Sequence, residues 1–408
     1  MSASQIPNLN TLRSARSSTR GGRGRGNHHG GPPSGGPSTA ESDSQKDKVV
    51  QQTDQDASVS RMSAVELGYL DDPFAHHFTL EKAPRKFPII NRGTFVRTTA
   101  IDDLVNRFLA SNPSQKKQII SLGAGSDTRY FRLRKSANPS PSLIYHEIDF
   151  PANTRQKITA IRHSPEMTSL LQSASNSSDP SITVSEDESA LHTPTYHIHP
   201  LDLRTLSVPQ QQSHGSETPN AQTSLIPHID AAIPTLLLSE CCLIYLPPTA
   251  ADNILKYFTS QLLAPSTPLS LIVYEPINPA SDAFGAMMVS NLAARGIVLQ
   301  TLKKYSSLSR QRERMRMMGF ASGQGAADVD FIWERWVSDD EKERVAGLEM
   351  LDEVEEWRLL ARHYCVAWGW REVSAGQGTG TSQDVEAHDR GGSVFEGWRD
   401  VAAQSSVD

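Results

Sequence analysis

The sequence predicts an α/β fold, doubly wound around a parallel sheet. Three observations predict it. Five short apolar runs, at 118–122, 143–149, 196–201, 235–239 and 269–275, are continuous rather than alternating, as strands covered on both faces are. Helical patterns fall between and around them, the alternation that a doubly wound sheet requires. The first run ends in two glycines one residue apart, "LGAGSDTR", the kind of turn that opens a nucleotide-binding α/β unit.

The elements follow in order. Residues 1–58 are rich in Ser, Gly, Arg, Gln and Asp. They bury too little to offset backbone entropy and are expected to be disordered. Within them "TRGGRGRGNHHGG" (19–31) has a composition that can hold RNA loosely. With one short cluster and no Phe or Tyr interleaved, a solvated tail is the better explanation. Ile101, Leu104, Val105, Phe108 and Leu109 make one apolar stripe before the first strand, with Thr99 placed to cap that helix. Ser-, Thr-, Pro- and Gln-rich segments near 168–194 and 208–224 are expected as surface insertions. Asn253, Leu255 and Phe258 mark a helix before the fifth strand. Two helices come late, one over 308–318 with four arginines and one over 341–364 with Val345, Leu348, Leu351, Val354, Trp357, Leu360 and Tyr364 on one face. The folded part is therefore 59–373. Residues 374–408 are expected to be a flexible tail, although Phe395 and Trp398 could dock.

Composition narrows the function. A net charge of −6 over 408 residues does not suit a protein built for nucleic acid or anionic membrane. Three cysteines, two of them adjacent, and no signal-peptide pattern point to a reducing compartment, cytoplasmic or nuclear. No apolar stretch is long enough to span a bilayer.

In this fold the ligand lies at the carboxyl ends of the strands. After the first strand, Gly123 and Gly125 let the backbone approach a ligand. The dinucleotide fingerprint wants a third glycine where Thr128 stands, and Asp127 would repel a pyrophosphate. The turn alone fits a dinucleotide, S-adenosylmethionine or no ligand. Asp149 ends the second strand where an acid accepts ribose hydroxyls, or it serves the helix that begins at Pro151. Asp202 after the third strand could accept from an adenine amino group, with Leu203 packing on the ring. His197 and His199 alternate in that strand and could bind metal, but no third ligand is evident in sequence. Glu240 ends the fourth strand, where a carboxylate could balance an ammonium or sulfonium. Arg61, Arg92 and Arg97 precede the sheet and could pair with a ligand carboxylate, or simply lie on the surface. Residues 282–297 predict a helix carrying Phe284, Met287, Met288 and Leu292, either a cap over the site near Tyr245 or plain core.

Together "INRGTFVRTTAID", "IISLGAGSDTRYFRL", "YHEIDFP", "LLLSECCLIYLPP" and "MLDEVEEWRLLARHYCVAW" resemble the leucine carboxyl methyltransferases, over about 61–368. The resemblance implies a Rossmann-like, S-adenosyl-L-methionine-dependent methyltransferase fold with a helical cap. It implies methylation of the C-terminal leucine of the protein phosphatase 2A catalytic subunit. It places Arg97, Gly123, Asp149, Asp202, Leu203 and Glu240 on cofactor contacts, and Arg61 where the family typically has a lysine. The proposed groove gives Tyr245 and Met288 to the substrate. A small-molecule O-methyltransferase, an NAD-dependent oxidoreductase and an RNA-binding protein are the competing readings. No metal, membrane or nucleic-acid partner is expected. The chemistry agrees with the leading reading: a leucine α-carboxylate, with a pKa near ~3.5, is ionised at pH 7 and needs no general base.

Overall fold

The structure is a computed structural model. It describes residues 39–79, 83–137, 139–140, 142–173, 182–208, 225–280, 282–372 and 393–405, with the backbone alone for 39–43. Ser44–Asp408 form one compact unit; of the other, Met1–Asp43, only the helical backbone of 39–43 is described.

Among the described residues nine strands form one sheet: β1 (Lys117–Leu122), β2 (Leu143–Asp149), β3 (Thr183–Val184), β4 (Leu191–His192), β5 (Tyr196–Pro200), β6 (Thr235–Glu240), β7 (Leu269–Pro276), β8 (Gly323–Asp328) and β9 (Tyr364–Arg371). Their order is β3-β4-β5-β2-β1-β6-β7-β9-β8. The five expected strands are all present and pair in parallel. β9 runs antiparallel between β7 and β8, and β3–β4 make a hairpin on the far edge. The chain winds outward from β1 through β2 to β5, then returns to β6 and winds the other way. Order thus reverses between β1 and β6, and the carboxyl ends of those strands open a crevice.

The helices are α1 (Thr39–Glu66), α2 (Pro88–Ala110), α3 (Arg129–Lys135), α4 (Pro151–His163), α5 (Pro165–Ser173), α6 (Pro248–Lys256), α7 (Ala283–Ala294), α8 (Leu308–Met317), α9 (Val329–Arg335), α10 (Asp339–Ala346), α11 (Val354–Ala361) and α12 (Glu396–Arg399). Leu236 and Leu238 face a core with Leu104 and Phe108 of α2, Trp357 of α11 and Trp398 of α12. Leu237 faces the other way, into a core with Leu255 of α6 and Met315 of α8. Alternate residues of one strand therefore feed two cores, which is why the run reads as continuously apolar. No described helix is long and apolar enough to cross a membrane.

Several expectations need correction. The boundary at 58 falls inside α1, so 39–58 are helical; the RG-rich stretch lies outside the described residues. Thr99 does not cap a helix. It lies inside α2, which starts at Pro88, and its hydroxyl donates to Phe95 O at 2.9 Å. Burial of Phe95 and Val96 extends α2 through a sequence of weak helix propensity. The single helix expected over 341–364 is two. Gly347 closes α10, and Glu349 is drawn across to Asn91 of α2 at 2.8 Å and to Arg85. Tyr364 already belongs to β9. The first insertion carries α5 and the β3–β4 hairpin, with 174–181 outside the described residues; of the second, 209–224 lie outside them. The C-terminal segment is held where it is described. Phe395 stacks on Phe108 with ring centres 5.8 Å apart, and Trp398 Nε1 donates to Leu104 O at 2.9 Å.

Candidate active site

At the end of β1 the chain turns through Gly123 and Gly125, with φ of 66° and 45°. A Cβ on Gly123 would lie 2.6 Å from Cys242 Sγ, so conformation and space both demand glycine. Gly125 N donates to Asp149 Oδ2 at 2.7 Å. Asp149 Oδ1 accepts from Phe150 N at 2.7 Å and from Asn153 at 3.0 Å. The cap residue of α4 is Phe150, so the Asp149 carboxylate bridges the glycine turn and the helix start. Burial pushes it up to about 6, against the donors from Gly125 and Phe150.

Glu240 ends β6 on the opposite side of the crevice. Its Oε2 accepts from Arg97 Nε at 2.8 Å, and its Oε1 lies 2.9 Å from Arg129 Nη2. Burial opposes ionisation, yet Arg129 and Arg97 outweigh it and hold the carboxyl below its ordinary value. Glu240 already has two cationic partners within the protein. Arg97 is also placed over the Tyr274 ring, 4.6 Å from its centre, and Tyr274 stacks on Tyr364. Arg129 reaches Asp127 at 2.6 Å and Asp102 at 2.8 Å as well. Asp127 is therefore a partner of Arg129, not a bare charge in the turn, and it carries less of the argument against pyrophosphate than the missing glycine does.

The other expected residues divide. Asp202 caps the short turn Leu203–Ser207, accepting from Arg204 N at 2.9 Å, and pairs with the Arg204 side chain. Leu203 is buried beside Ile148 and Leu206. Arg61 pairs with Asp72 at 3.3 Å beside a cavity of about 250 Å³, which Thr98, Asp102 and Arg132 also line. Its charge bears on Asp127 and Glu240. Arg92 lies elsewhere, over the rings of Trp333 and Trp357. Tyr245 follows β6, hydrogen-bonded to Thr53 of α1, and burial raises its pKa. Met288 lies on α7, which buries only Gly285 among its residues and leaves Met287 42% exposed. The helix is therefore not plain core.

Sequence reasoning missed Asp54, which accepts from Ser126 N at 2.8 Å and Ser126 Oγ at 2.7 Å. It lies in the segment expected to be disordered. Asp47, also on α1, pairs with Arg204 at 2.7 Å. α1 thus meets the Asp202 turn through Asp47 and, further along, Tyr245 through Thr53 and the glycine turn through Asp54. Arg129 was visible in "GSDTRYFRL", but nothing local linked it to Glu240. Tyr274 read only as the end of an apolar strand.

A profile of the family "Leucine carboxyl methyltransferase" matches residues 46–259. The chain is 54% identical to leucine carboxyl methyltransferase 1 of Aspergillus fumigatus, covering 99% of this chain and 100% of that protein. The same identity holds to the Emericella nidulans protein of that name, over the whole of both. The Schizosaccharomyces pombe protein of that name is 37% identical over 79% of this chain and 94% of its own. Among solved structures, an O-methyltransferase family protein from Burkholderia thailandensis superposes with a TM-score of 0.34 at 11% identity, covering 70% of this chain and 60% of that one.

Proposed function

The chain belongs to the leucine carboxyl methyltransferase family, whose name is its reaction, and on that premise we propose that it transfers the methyl group of S-adenosyl-L-methionine to the α-carboxylate of the C-terminal leucine of the protein phosphatase 2A catalytic subunit. The observation that carries the reading is the Arg97–Glu240 pair at the end of β6. A cation and an anion held side by side complement a zwitterion, and the amino-acid end of this cofactor is one. The remaining residues fit the rest of it. We assign to it the glycine turn after β1, where Cys242 and Asp54 fill the space a Cβ would take, with Asp149 for the ribose hydroxyls and Asp202 and Leu203 for the adenine.

When bound, the cofactor supplies an electrophilic methyl group on a sulfonium. The protein's own task is placement. The leucine carboxylate is already ionised, so no residue takes a proton, which accords with a site built of paired charges and no activated nucleophile. Cys241, pushed up to about 11 by burial, is a poor nucleophile at pH 7. Arg61 and Arg97 divide the two carboxylates of cofactor and substrate between them. Tyr245 and α7, with its half-buried Met288 and exposed Met287, receive the leucine side chain as part of a cap.

Incubation with labelled cofactor and the phosphatase catalytic subunit, intact or lacking its last leucine, tests this. Label on the intact form alone is expected. Label on both forms overturns the C-terminal assignment. Label on neither, with transfer to small carboxylic acids, moves the protein to small-molecule O-methylation.

A further inference from the structure

Five histidines gather on one face of the sheet edge, on the side of β2 opposite Glu147 and Asp149. The local sequence shows two of them, His197 and His199, at alternate positions of β5. Folding adds His146 from β2, opposite His197, and His192 from β4, also opposite His197. It adds His228 from the loop before β6, with rings of His197 and His228 stacked 4.7 Å apart. Two of the five satisfy each other: His146 Nδ1 and His199 Nε2 are 3.1 Å apart, and His146 Nε2 lies 3.2 Å from Gln118 Oε1. The other three turn their ring nitrogens together. His192 Nδ1 and His197 Nδ1 are 3.3 Å apart, and one nitrogen from each of His192, His197 and His228 lies within 4.8 Å of the others.

That spacing has a chemical meaning. Two imidazole nitrogens bound tetrahedrally to zinc, each at about 2.0–2.1 Å, lie about 3.3 Å apart. The His192–His197 pair already has that separation, and His228, exposed on its loop, needs only a small ring movement to join. The loop is fixed by the same network, since Asp230 N donates to Gln118 Oε1 at 3.0 Å. We propose that His192, His197 and His228 bind one zinc ion, with water in the fourth position open to solvent. The ion is structural. It lies on the sheet edge away from the carboxyl-end crevice, and it ties the two low-complexity insertions to the sheet: His192 lies near the end of the first and His228 just after the second. Three neutral imidazoles suit zinc or a neighbouring late transition metal, not magnesium or calcium.

The test uses the full chain without a purification tag, stripped with chelator and then titrated with zinc alone in a calorimeter. One equivalent is expected, retained through gel filtration, with a melting temperature raised by several degrees. His228→Gln and the double variant with His192→Gln should lose that equivalent and the thermal shift while methyl transfer stays unchanged; His228 is exposed, so its replacement leaves the fold intact. No retained zinc overturns the proposal. So does zinc retained undiminished in the double variant, because the ion would then sit elsewhere, as at the adjacent His76 and His77.

Discussion

Two residues show how one side chain carries both stability and binding. Asp149 is an acid raised to about 6 in the folded chain by burial, against roughly 3.9 when unfolded. The folded state therefore holds its proton more tightly, and stability is lost as pH rises from about 4 to 6, with the loss complete above that window. Relative to Asp149→Asn, the native protein should lose about 3 kcal/mol across it, measurable by denaturant melts at several pH values. Binding runs the other way. If ionised Asp149 accepts the ribose hydroxyls, the cofactor dissociation constant should rise about tenfold per unit below pH 6, and calorimetry should find that slope gone in Asp149→Asn. Arg97→Ala should weaken cofactor binding by about 2 kcal/mol, a factor of about 30, as loss of a charged hydrogen bond does. Glu240 keeps Arg129 as partner, so the melting temperature should barely move; a variant that fails to fold would show the arginine to be structural. Unchanged turnover would remove Arg97 from the site.

At the scale of elements, the glycine turn and the C-terminal return matter most. Gly123→Ala places a Cβ against Cys242 Sγ at a left-handed φ. It should destabilise by at least about 1–2 kcal/mol and weaken cofactor binding. Adding Cys242→Ala should restore part of the stability in a double-mutant cycle, because it removes the Sγ contact and leaves the 2.8 Å approach to the Cβ of residue 242 and the conformational strain. Trp398→Ala should cost about 3–5 kcal/mol, since the ring is fully buried and its Nε1 is tied to Leu104 O. Thermal melts showing less than about 1 kcal/mol would mean that α12 is not a working part of the core. The missed elements have a common cause. β8 reads "GQGAAD", with no apolar pattern, because Gly323 and Gly325 make room for the rings of Trp370 and Trp368 on β9. β9 itself is an apolar run adjoining a helical stripe, and short apolar runs do not declare their period.

For the whole molecule, α1 changes what a truncation means. Removal of residues 1–38 should leave methyl transfer unchanged in a labelled-cofactor assay. Removal of 1–58 takes away Asp47 and Asp54 and with them the contacts to Arg204 and Ser126, so it should lower turnover several-fold. If both truncations are fully active, α1 contributes nothing to the site. The five parallel strands, the glycine turn and the acids that end β2 and β6 were legible in the sequence, because burial on two faces and positive φ restrict residue type locally. The family was legible too, in motifs that lie at those same strand ends. What only the tertiary structure decided was who pairs with whom: Arg97 with Glu240 across 143 positions of chain, Asp54 with the glycine turn, His228 with the histidines of the sheet edge. Through-space charge and ligand geometry depend on distances that packing alone sets, and no local pattern encodes them.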